Sequence, residues 1–234
     1  MVSDDRAAML AALHAEVDAC RRCAIGSTRT KVVCGVGDPH ARLIVVGEGP
    51  GENEDRIGEP FVGRAGELLT KMLAAIDLRR EDVFITNTIK CRATLMEQGR
   101  IKNRAPMQEE LNNCRPYLER ELSTVNARVI LALGAPAAKT FLGPAFSITR
   151  QRGIWYVGPG GIDLMVTFHP AYLLRLTGGE MNAVKRMVYA DLLAVRARID
   201  EATEAASTTQ PDNGQNAPND KKNAPAAQLT FGDL

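Results

Sequence analysis

The chain has 234 residues, 45% of them hydrophobic, and a formal net charge of +1 at pH 7. This is enough apolar sequence for one domain with a sizeable core, and it contains no run of about 18 apolar residues that would span a membrane. The acidic start at Ser3, Asp4 and Asp5 lacks the apolar core of a signal peptide, so we expect a cytoplasmic protein.

The first predicted element is an amphipathic helix over residues 5–24, whose apolar residues recur at helical spacing. It ends in Cys20-Arg21-Arg22-Cys23, which places a C-x-x-C pair at the end of the helix. Residues 30–41 follow as a loop or short strand.

The first long strand is predicted over Leu43, Ile44, Val45 and Val46, an unbroken apolar run typical of a strand buried on both faces of a parallel sheet. A turn rich in glycine follows, from Gly47 to Gly51. It has neither the Lys-Ser/Thr of a Walker loop nor the spacing of a dinucleotide fingerprint. The turn and the segment after it carry instead the acids Glu48, Glu52, Glu54 and Asp55, which argue against a phosphate site.

Two interpretations of this acidic segment are open. It is either an ordinary loop whose acids cap the next helix, or part of a ligand site. The second is favoured by Pro60-Phe61-Val62-Gly63, which sets an aromatic residue on a stiff loop beside the carboxylates. We expect Phe61 to be exposed there and to act as a stacking platform.

The remaining predicted elements alternate between helix and strand. They are a helix over 66–76, a strand over 83–86, an irregular basic segment over 92–106, a helix over 108–122, a strand over 127–133, a helix over 136–141, a hairpin over 154–157 and 163–168, and a long helix over 179–202. This order predicts an α/β fold with three α/β/α layers around a central, mostly parallel, four-stranded sheet.

Polar residues stand where the predicted strands end. Ligands of such sheets bind outside the carboxyl ends of the strands, so Glu48, Gly49, Asn87, Gly134 and His169 are expected to meet in one crevice. Each polar side chain also has an ordinary explanation, as a helix cap, a turn cap or a buried core histidine. Their coincidence at several strand ends favours a functional site.

Four cysteines form a second constellation. In a cytoplasmic chain the thiols of Cys20, Cys23, Cys91 and Cys114 stay reduced, and each has an Arg or Lys as a sequence neighbour, which favours thiolates. This pattern predicts a metal centre with four thiolate ligands. Spacing alone does not separate structural zinc from an iron–sulfur cluster. Cys34 is interpreted as a small core residue.

Together these motifs resemble the family 4 uracil-DNA glycosylases, the iron–sulfur branch of that superfamily. The resemblance extends over nearly all of residues 10–200. The residues that carry it are Cys20-x-x-Cys23, Gly47-Glu48-Gly49-Pro50-Gly51 with Glu54-Asp55, Pro60-Phe61-Val62-Gly63, Thr86-Asn87 before Lys90-Cys91-Arg92, Cys114, and His169-Pro170-Ala171-Tyr172-Leu173-Leu174-Arg175.

The resemblance implies a catalytic domain over residues 1–200 that removes uracil from single- or double-stranded DNA and leaves an abasic site. It implies a structural [4Fe-4S] cluster on Cys20, Cys23, Cys91 and Cys114. It also implies Glu48 and His169 as catalytic residues, a uracil pocket and a DNA wedge. The pocket residues are Gly49, Glu54, Phe61, Asn87 and His169, and the wedge residues are Leu173, Leu174 and Arg175.

The chemistry of uracil release assigns a role to each of these side chains. The amide of Asn87 can donate to uracil O4 and accept from N3–H. His169 is expected to stabilise charge on uracil O2, together with backbone N–H groups of the turn that begins at Glu48. Glu48 either positions the attacking water or offsets the cationic sugar, and the sequence leaves both roles open. Glu54 is expected to line the uracil pocket.

One segment departs from the family pattern. The stretch between Cys91 and Cys114 is longer than is usual for family 4, and a related branch that traps DNA covalently carries an insertion with a nucleophilic His. Residues 100–104 contain no His, which leaves His169 as the only histidine near the proposed site. The alternative function is a non-catalytic iron–sulfur DNA-binding protein or a covalent-trapping relative of the same superfamily.

The C-terminal residues 201–234 form a different region, with five acids and two lysines, and residues 201–227 contain almost no large apolar residue. They predict a disordered tail, and they leave residues 1–200 with a charge of +4, which is compatible with nucleic acid. The last residues, from Gln228 to Leu234, are either a frayed terminus or a linear motif that docks on a sliding clamp. We expect a monomer without a membrane partner.

Overall fold

The computed structural model describes the backbone of residues 5–207 and the side chains of residues 5–201. The helices are α1 (Arg6–Asp18), α2 (Ile25–Thr28), α3 (Glu52–Ile57), α4 (Arg64–Ala74), α5 (Gln108–Val125), α6 (Gly134–Leu142), α7 (Ile148–Gln151), α8 (Pro170–Leu173) and α9 (Gly178–Ser207). The strands are β1 (Val36–Gly37), β2 (Leu43–Gly47), β3 (Phe84–Asn87), β4 (Thr94–Glu97), β5 (Arg100–Asn103), β6 (Val129–Leu133), β7 (Trp155–Val157) and β8 (Asp163–Thr167). The predicted clamp motif from Gln228 to Leu234 lies outside the described residues.

The described strands of the main sheet follow the order β1-β3-β2-β6-β8-β7. The four inner strands, β3, β2, β6 and β8, run parallel, while β1 and β7 pair antiparallel at the two edges. The mostly parallel α/β sheet is therefore confirmed, but it has six strands rather than four. Strand β7 pairs with β8 as the predicted hairpin over 154–157 and 163–168, whereas β1 has only two residues, too few to give a clear periodic signal in the sequence.

The sheet is buried on both faces because its apolar side chains alternate between two cores. Leu43 and Val45 face a cluster that includes residues of α4 and α9, whereas Ile44 and Val46 face a cluster that includes residues of α1, α5 and α6. These two cores make the three layers. No helix within residues 5–207 combines the length and apolar character that crossing a membrane requires.

Several predicted boundaries change. Helix α1 ends at Asp18, so Cys20 and Cys23 lie on a loop rather than on a helix end. The acidic segment after the glycine turn is helix α3, whose first turn carries Glu52, Glu54 and Asp55, where negative charge is favourable. Helix α9 continues past the predicted domain boundary at residue 200.

The prediction that residues 92–106 form an irregular segment is also wrong. It contains a β-hairpin, in which β4 and β5 pair antiparallel around a tight turn. Gln98 and Gly99 both have positive φ at that turn, 50° and 74°, as a two-residue hairpin turn needs.

The topology places a crevice at the carboxyl ends of the inner strands. The chain places β3 on one side of β2 and later places β6 on the other side, so the strand order reverses its direction at β2. Such a switch point leaves a crevice outside the strand ends, where α/β proteins bind ligands. Asn87 is the last residue of β3, and Glu48, Gly134 and His169 follow their strands directly or within two residues.

Candidate active site

A cavity of about 290 Å³ opens at the switch point. It brings together residues that the sequence placed far apart, namely Glu48, Gly49, Glu54, Phe61, Asn87 and His169. The hairpin contributes Asn103 and Arg104, which the sequence analysis did not identify. Four of the five residues predicted to meet in one crevice therefore do so, whereas Gly134 lines a neighbouring cavity that also contains Glu48 and His169.

Gly47 allows the cavity floor to form. It ends β2 opposite Asn87 in the register, and a Cβ there would lie 2.4 Å from Asn87 Oδ1 and 2.6 Å from Phe61 Cζ. Because no side chain fits in that space, the amide and the aromatic ring can approach the same backbone atom. Asn87 is only 2% exposed, so little of it is open to bulk water.

Phe61 is not the exposed platform that the sequence predicted. It is 6% exposed, its φ is 55°, and its ring stacks on the imidazole of His169 with centroids 5.6 Å apart and planes 28° apart. A bulky residue in the left-handed region is strained and needs support from its surroundings. The ring still borders the cavity, so it forms part of the wall.

Glu54 supplies the support for this loop. Its Oε1 accepts from the backbone N–H groups of Val62 and Gly63 at 3.0 and 2.9 Å, and its Oε2 accepts from Gly51 N–H at 3.1 Å. One carboxylate thus joins the glycine turn to the loop that carries Phe61. Hydrogen bonds to a charged acceptor are about twice as strong as neutral ones, which suits a residue that holds a strained loop.

His169 is held in one tautomer. Its Nδ1 accepts from the backbone N–H of Ala171 at 3.1 Å, so in the neutral ring the proton is on Nε2. Burial, with a smaller contribution from the positive charge of Arg175, lowers the pKa of His169 to about 4. The imidazole is therefore neutral at pH 7 and offers one N–H donor.

The glycine turn offers fewer donors than the sequence suggested. Pro50 has no N–H, and the N–H of Gly51 is used by Glu54. This leaves the backbone N–H groups of Glu48 and Gly49 as the donors in the turn that are not assigned elsewhere. Burial also raises the pKa of the Glu48 carboxyl, so that its charged form gains from a nearby cation.

Only two of the three residues predicted to form the DNA wedge are exposed in the structure. Leu173 is 3% exposed and belongs to the core cluster that contains α4 and α9 residues, so it cannot contact DNA from this position. Leu174 is 41% exposed and Arg175 is also exposed. These two residues are the part of the wedge that DNA can reach.

A buried ion pair behind Asn87 was missed in the sequence. Lys90 Nζ lies 2.6 Å from Glu121 Oε2, and both side chains are at most 1% exposed. Lys90 also donates to the backbone carbonyl of Asn87 at 2.8 Å and to the Thr86 hydroxyl, and Glu121 accepts from the N–H of Gly35. The pair therefore ties the end of β3 to α5. The only signal in the sequence was a lysine directly after a buried strand.

The four predicted ligand cysteines line a second cavity, beside this ion pair. They come from three separate parts of the chain, the α1–α2 loop, the segment after β3 and helix α5. Among the described residues, no three His, Cys, Asp or Glu side chains are grouped so that they could hold a metal ion. Cys34 is excluded from this cavity and is buried among α1 residues and Tyr117, which confirms it as a core residue.

One of the four sulfurs has a cationic donor beside it. Arg29 Nη1 donates to Cys91 Sγ at 3.2 Å, whereas the Gly26 N–H donates to the Cys23 carbonyl at 3.0 Å. Without a metal, burial raises the pKa of Cys114 to about 11 and also raises that of Cys91. Four thiols around one cavity, with a guanidinium donor at one of them, fit a group that binds thiolates.

Comparisons with known proteins agree with this geometry. A model of the uracil DNA glycosylase superfamily matches residues 34–193. A type-4 uracil-DNA glycosylase of Thermotoga maritima is 44% identical over 177 residues, or 75% of this chain and 87% of that protein. One of Archaeoglobus fulgidus is 43% identical, over 68% of this chain and 80% of that protein.

The matched relatives include a second type, which is less similar to this chain. A type-5 uracil-DNA glycosylase of Thermus thermophilus is 32% identical, over 58% of this chain and 68% of that protein. The superfamily match of residues 34–193 includes every residue that lines the active-site cavity. Of the four thiols, it includes Cys91 and Cys114 and leaves out Cys20 and Cys23.

Proposed function

The chain belongs to the uracil DNA glycosylase superfamily, and we propose that it is a DNA-repair glycosylase that turns uracil out of DNA and hydrolyses its N-glycosidic bond. The observation that carries the proposal is the single cavity shared by Asn87, His169 and Phe61. The product is an abasic site. Flipping the nucleotide costs a few kcal/mol, less for a mispaired base such as uracil opposite guanine.

Asn87 supplies base selectivity in this proposal. Its amide can donate to uracil O4 and accept from N3–H, whereas cytosine presents the opposite pattern of donor and acceptor. At a side chain that is 2% exposed, the mismatched pattern leaves polar groups unpaired without water, which is heavily penalised. The Gly47 and Lys90 contacts hold the end of β3, so the amide does not have to reorganise when the base enters.

His169 supplies the stabilising donor. As the C–N bond breaks, negative charge develops on uracil O2, and the neutral Nε2–H of His169 donates to it. A neutral imidazole suits this role because its Nε2–H keeps its proton at pH 7 and remains available as a hydrogen-bond donor. Phe61, stacked on the imidazole, holds the ring in position and forms the wall against which the base lies.

Glu48 is assigned to the sugar. Loss of the base leaves an oxocarbenium-like sugar with positive charge, and a partly buried carboxylate gains most from a cation that forms next to it. This favours charge compensation as its role, with orientation of the attacking water as a consequence of the same position. Leu174 and Arg175 fill the gap that the extruded nucleotide leaves in the stack.

The thiol cavity is assigned to the [4Fe-4S] cluster, held by Cys20, Cys23, Cys91 and Cys114. When bound, the cluster supplies a cross-link between three parts of the chain and takes no part in hydrolysis. The chain's own contribution includes Arg29, which donates to Cys91 Sγ and stabilises its thiolate.

The test is single-turnover excision of uracil from a single-stranded oligonucleotide, which needs no flipping. We expect His169→Ala and Asn87→Ala each to lower the rate by at least about 10²-fold, the usual cost of losing one preorganised donor. The matched control is His40→Ala, because His40 is an exposed histidine outside the cavity. Near wild-type rates in both cavity variants would remove the proposed site, and an inactive wild type would remove the proposed function.

A further inference from the structure

The β4–β5 hairpin carries an exposed apolar pair that the proposed function does not yet use. Met96 and Ile101 are direct cross-strand partners, 67% and 61% exposed. Partners in an antiparallel ladder point to the same face, and the faces alternate along each strand. Thr94 and Asn103, the partners two positions nearer the hairpin base, therefore share the face of Met96 and Ile101.

This face is continuous with the active site. Asn103 lines the cavity, and the Met96–Ile101 pair lies two residues further along the same face, which is about 7 Å of strand. The apolar pair thus projects beyond the cavity wall and on the same side of the hairpin. The opposite face carries Leu95, Glu97, Arg100 and Lys102, with Glu97 and Lys102 paired at 2.5 Å.

The base of the hairpin is held firmly. Arg104 donates to the Thr94 carbonyl at 3.0 Å and forms a two-point ion pair with Glu110 on α5, at 2.5 and 2.7 Å. Arg92 Nε donates to Asn103 Oδ1 at 2.7 Å. A two-stranded hairpin is only marginally stable alone, so these contacts at its base are what can hold it upright.

We propose that Met96 and Ile101 pack against the nucleobases that border the extruded nucleotide, beside the gap that Leu174 and Arg175 fill. The proposal rests on the proposed function, because it needs DNA at the cavity. Apolar side chains that contact unstacked bases are a common device of proteins that distort DNA, and a Met thioether also packs well on aromatic rings. The hairpin also carries an exposed cation, Arg100, whose charge suits the phosphate backbone.

The test uses a duplex with a stable abasic-site analogue and measures its dissociation constant by fluorescence anisotropy. Met96→Ser/Ile101→Ser is compared with Leu95→Ser, which removes an apolar residue, 42% exposed, from the other face of the same hairpin. We expect about tenfold weaker binding in the double variant, the size of losing contacts to one base, and a change within about twofold in the control. Both variants should melt close to the wild type, because the residues are exposed.

Equal binding by the double variant and by Leu95→Ser overturns the proposal. So does a wild-type dimer that the double variant dissociates while DNA binding stays unchanged, since the pair would then be a self-association surface. Excision of uracil by the wild type is measured separately. Its absence refutes the proposed function, while the binding comparison still decides whether the hairpin contacts DNA.

Discussion

The active-site cavity and the thiol cavity lie at the two ends of one short segment, from Asn87 to Cys91, yet they are organised differently. In the active-site cavity, two key side chains are already held by backbone N–H groups, His169 by Ala171 and Glu54 by the glycine turn and the Phe61 loop. In the thiol cavity, burial raises the pKa values of Cys23, Cys91 and Cys114, so these three ligands favour the protonated form until a metal binds.

The difference separates two ways of building a site. The strand ends of a rigid sheet can position side chains before any ligand binds, which is what stabilisation of a transition state requires. Ligands on a loop, a segment and a helix depend on the bound group for their final arrangement, and the binding free energy then becomes folding free energy. Lys90 and Glu121 lie between the two cavities and connect them.

The largest effect is expected from removing a thiol ligand. Cys91→Ser should abolish broad brown visible absorption and lower the melting temperature by at least about 15 °C, because structural metal centres contribute several kcal/mol to folding. Visible absorption, iron content and calorimetry measure this. Cys34→Ala is the matched control, a buried thiol outside the cavity, and it should keep the colour. A colourless wild type that contains zinc, or an equal loss in the control, contradicts the cluster assignment.

The next largest effect is expected from breaking the Lys90–Glu121 ion pair, which connects the two cavities. Lys90→Met leaves Glu121 buried without its partner, which should lower the free energy of unfolding by about 3–5 kcal/mol. Denaturant unfolding measures it, and the double variant Lys90→Met/Glu121→Gln should recover part of the loss because no uncompensated charge remains. If Lys90→Met unfolds like the wild type, the ion pair does not hold the end of β3.

The smallest effect concerns pH. The folded pKa of His169, about 4, lies below its ordinary value of 6.5, so the unfolded state binds the proton more readily. Stability from the neutral ring is complete above pH 6.5 and falls by about 1.4 kcal/mol for each pH unit from there down to 4. Between pH 6.5 and 4, the free energy of unfolding of the wild type should therefore decrease more steeply with falling pH than that of His169→Gln.

The same reasoning fixes the shape of the activity profile. Excision by the wild type should show no inflection near pH 6.5, because His169 is neutral on both sides of that value. A rate that rises or falls with an apparent pKa near 6.5 in single-turnover kinetics would show that the ring titrates in the folded enzyme.

The sequence was informative where chemistry repeats at short range. Unbroken apolar runs located the four inner strands, and polar residues at their ends named Glu48, Asn87 and His169 before any coordinates. Four cysteines with cationic neighbours predicted the thiol site, and the structure does gather them around one cavity. The β4–β5 hairpin was lost because its strands are exposed on both faces and its mixed composition gives no alternation to detect.

Local sequence determined the α/β fold, the mostly parallel character of its sheet and the types of side chain at the strand ends, since apolar periodicity and glycine turns are properties of neighbouring residues. Only the tertiary structure decided which of those side chains are buried. Phe61 is covered by His169, Leu173 by the core, and Lys90 meets Glu121 across 31 positions. Burial depends on residues distant in the chain, and it sets whether a charge is paired, a thiol ionises or an aromatic ring remains free to contact DNA.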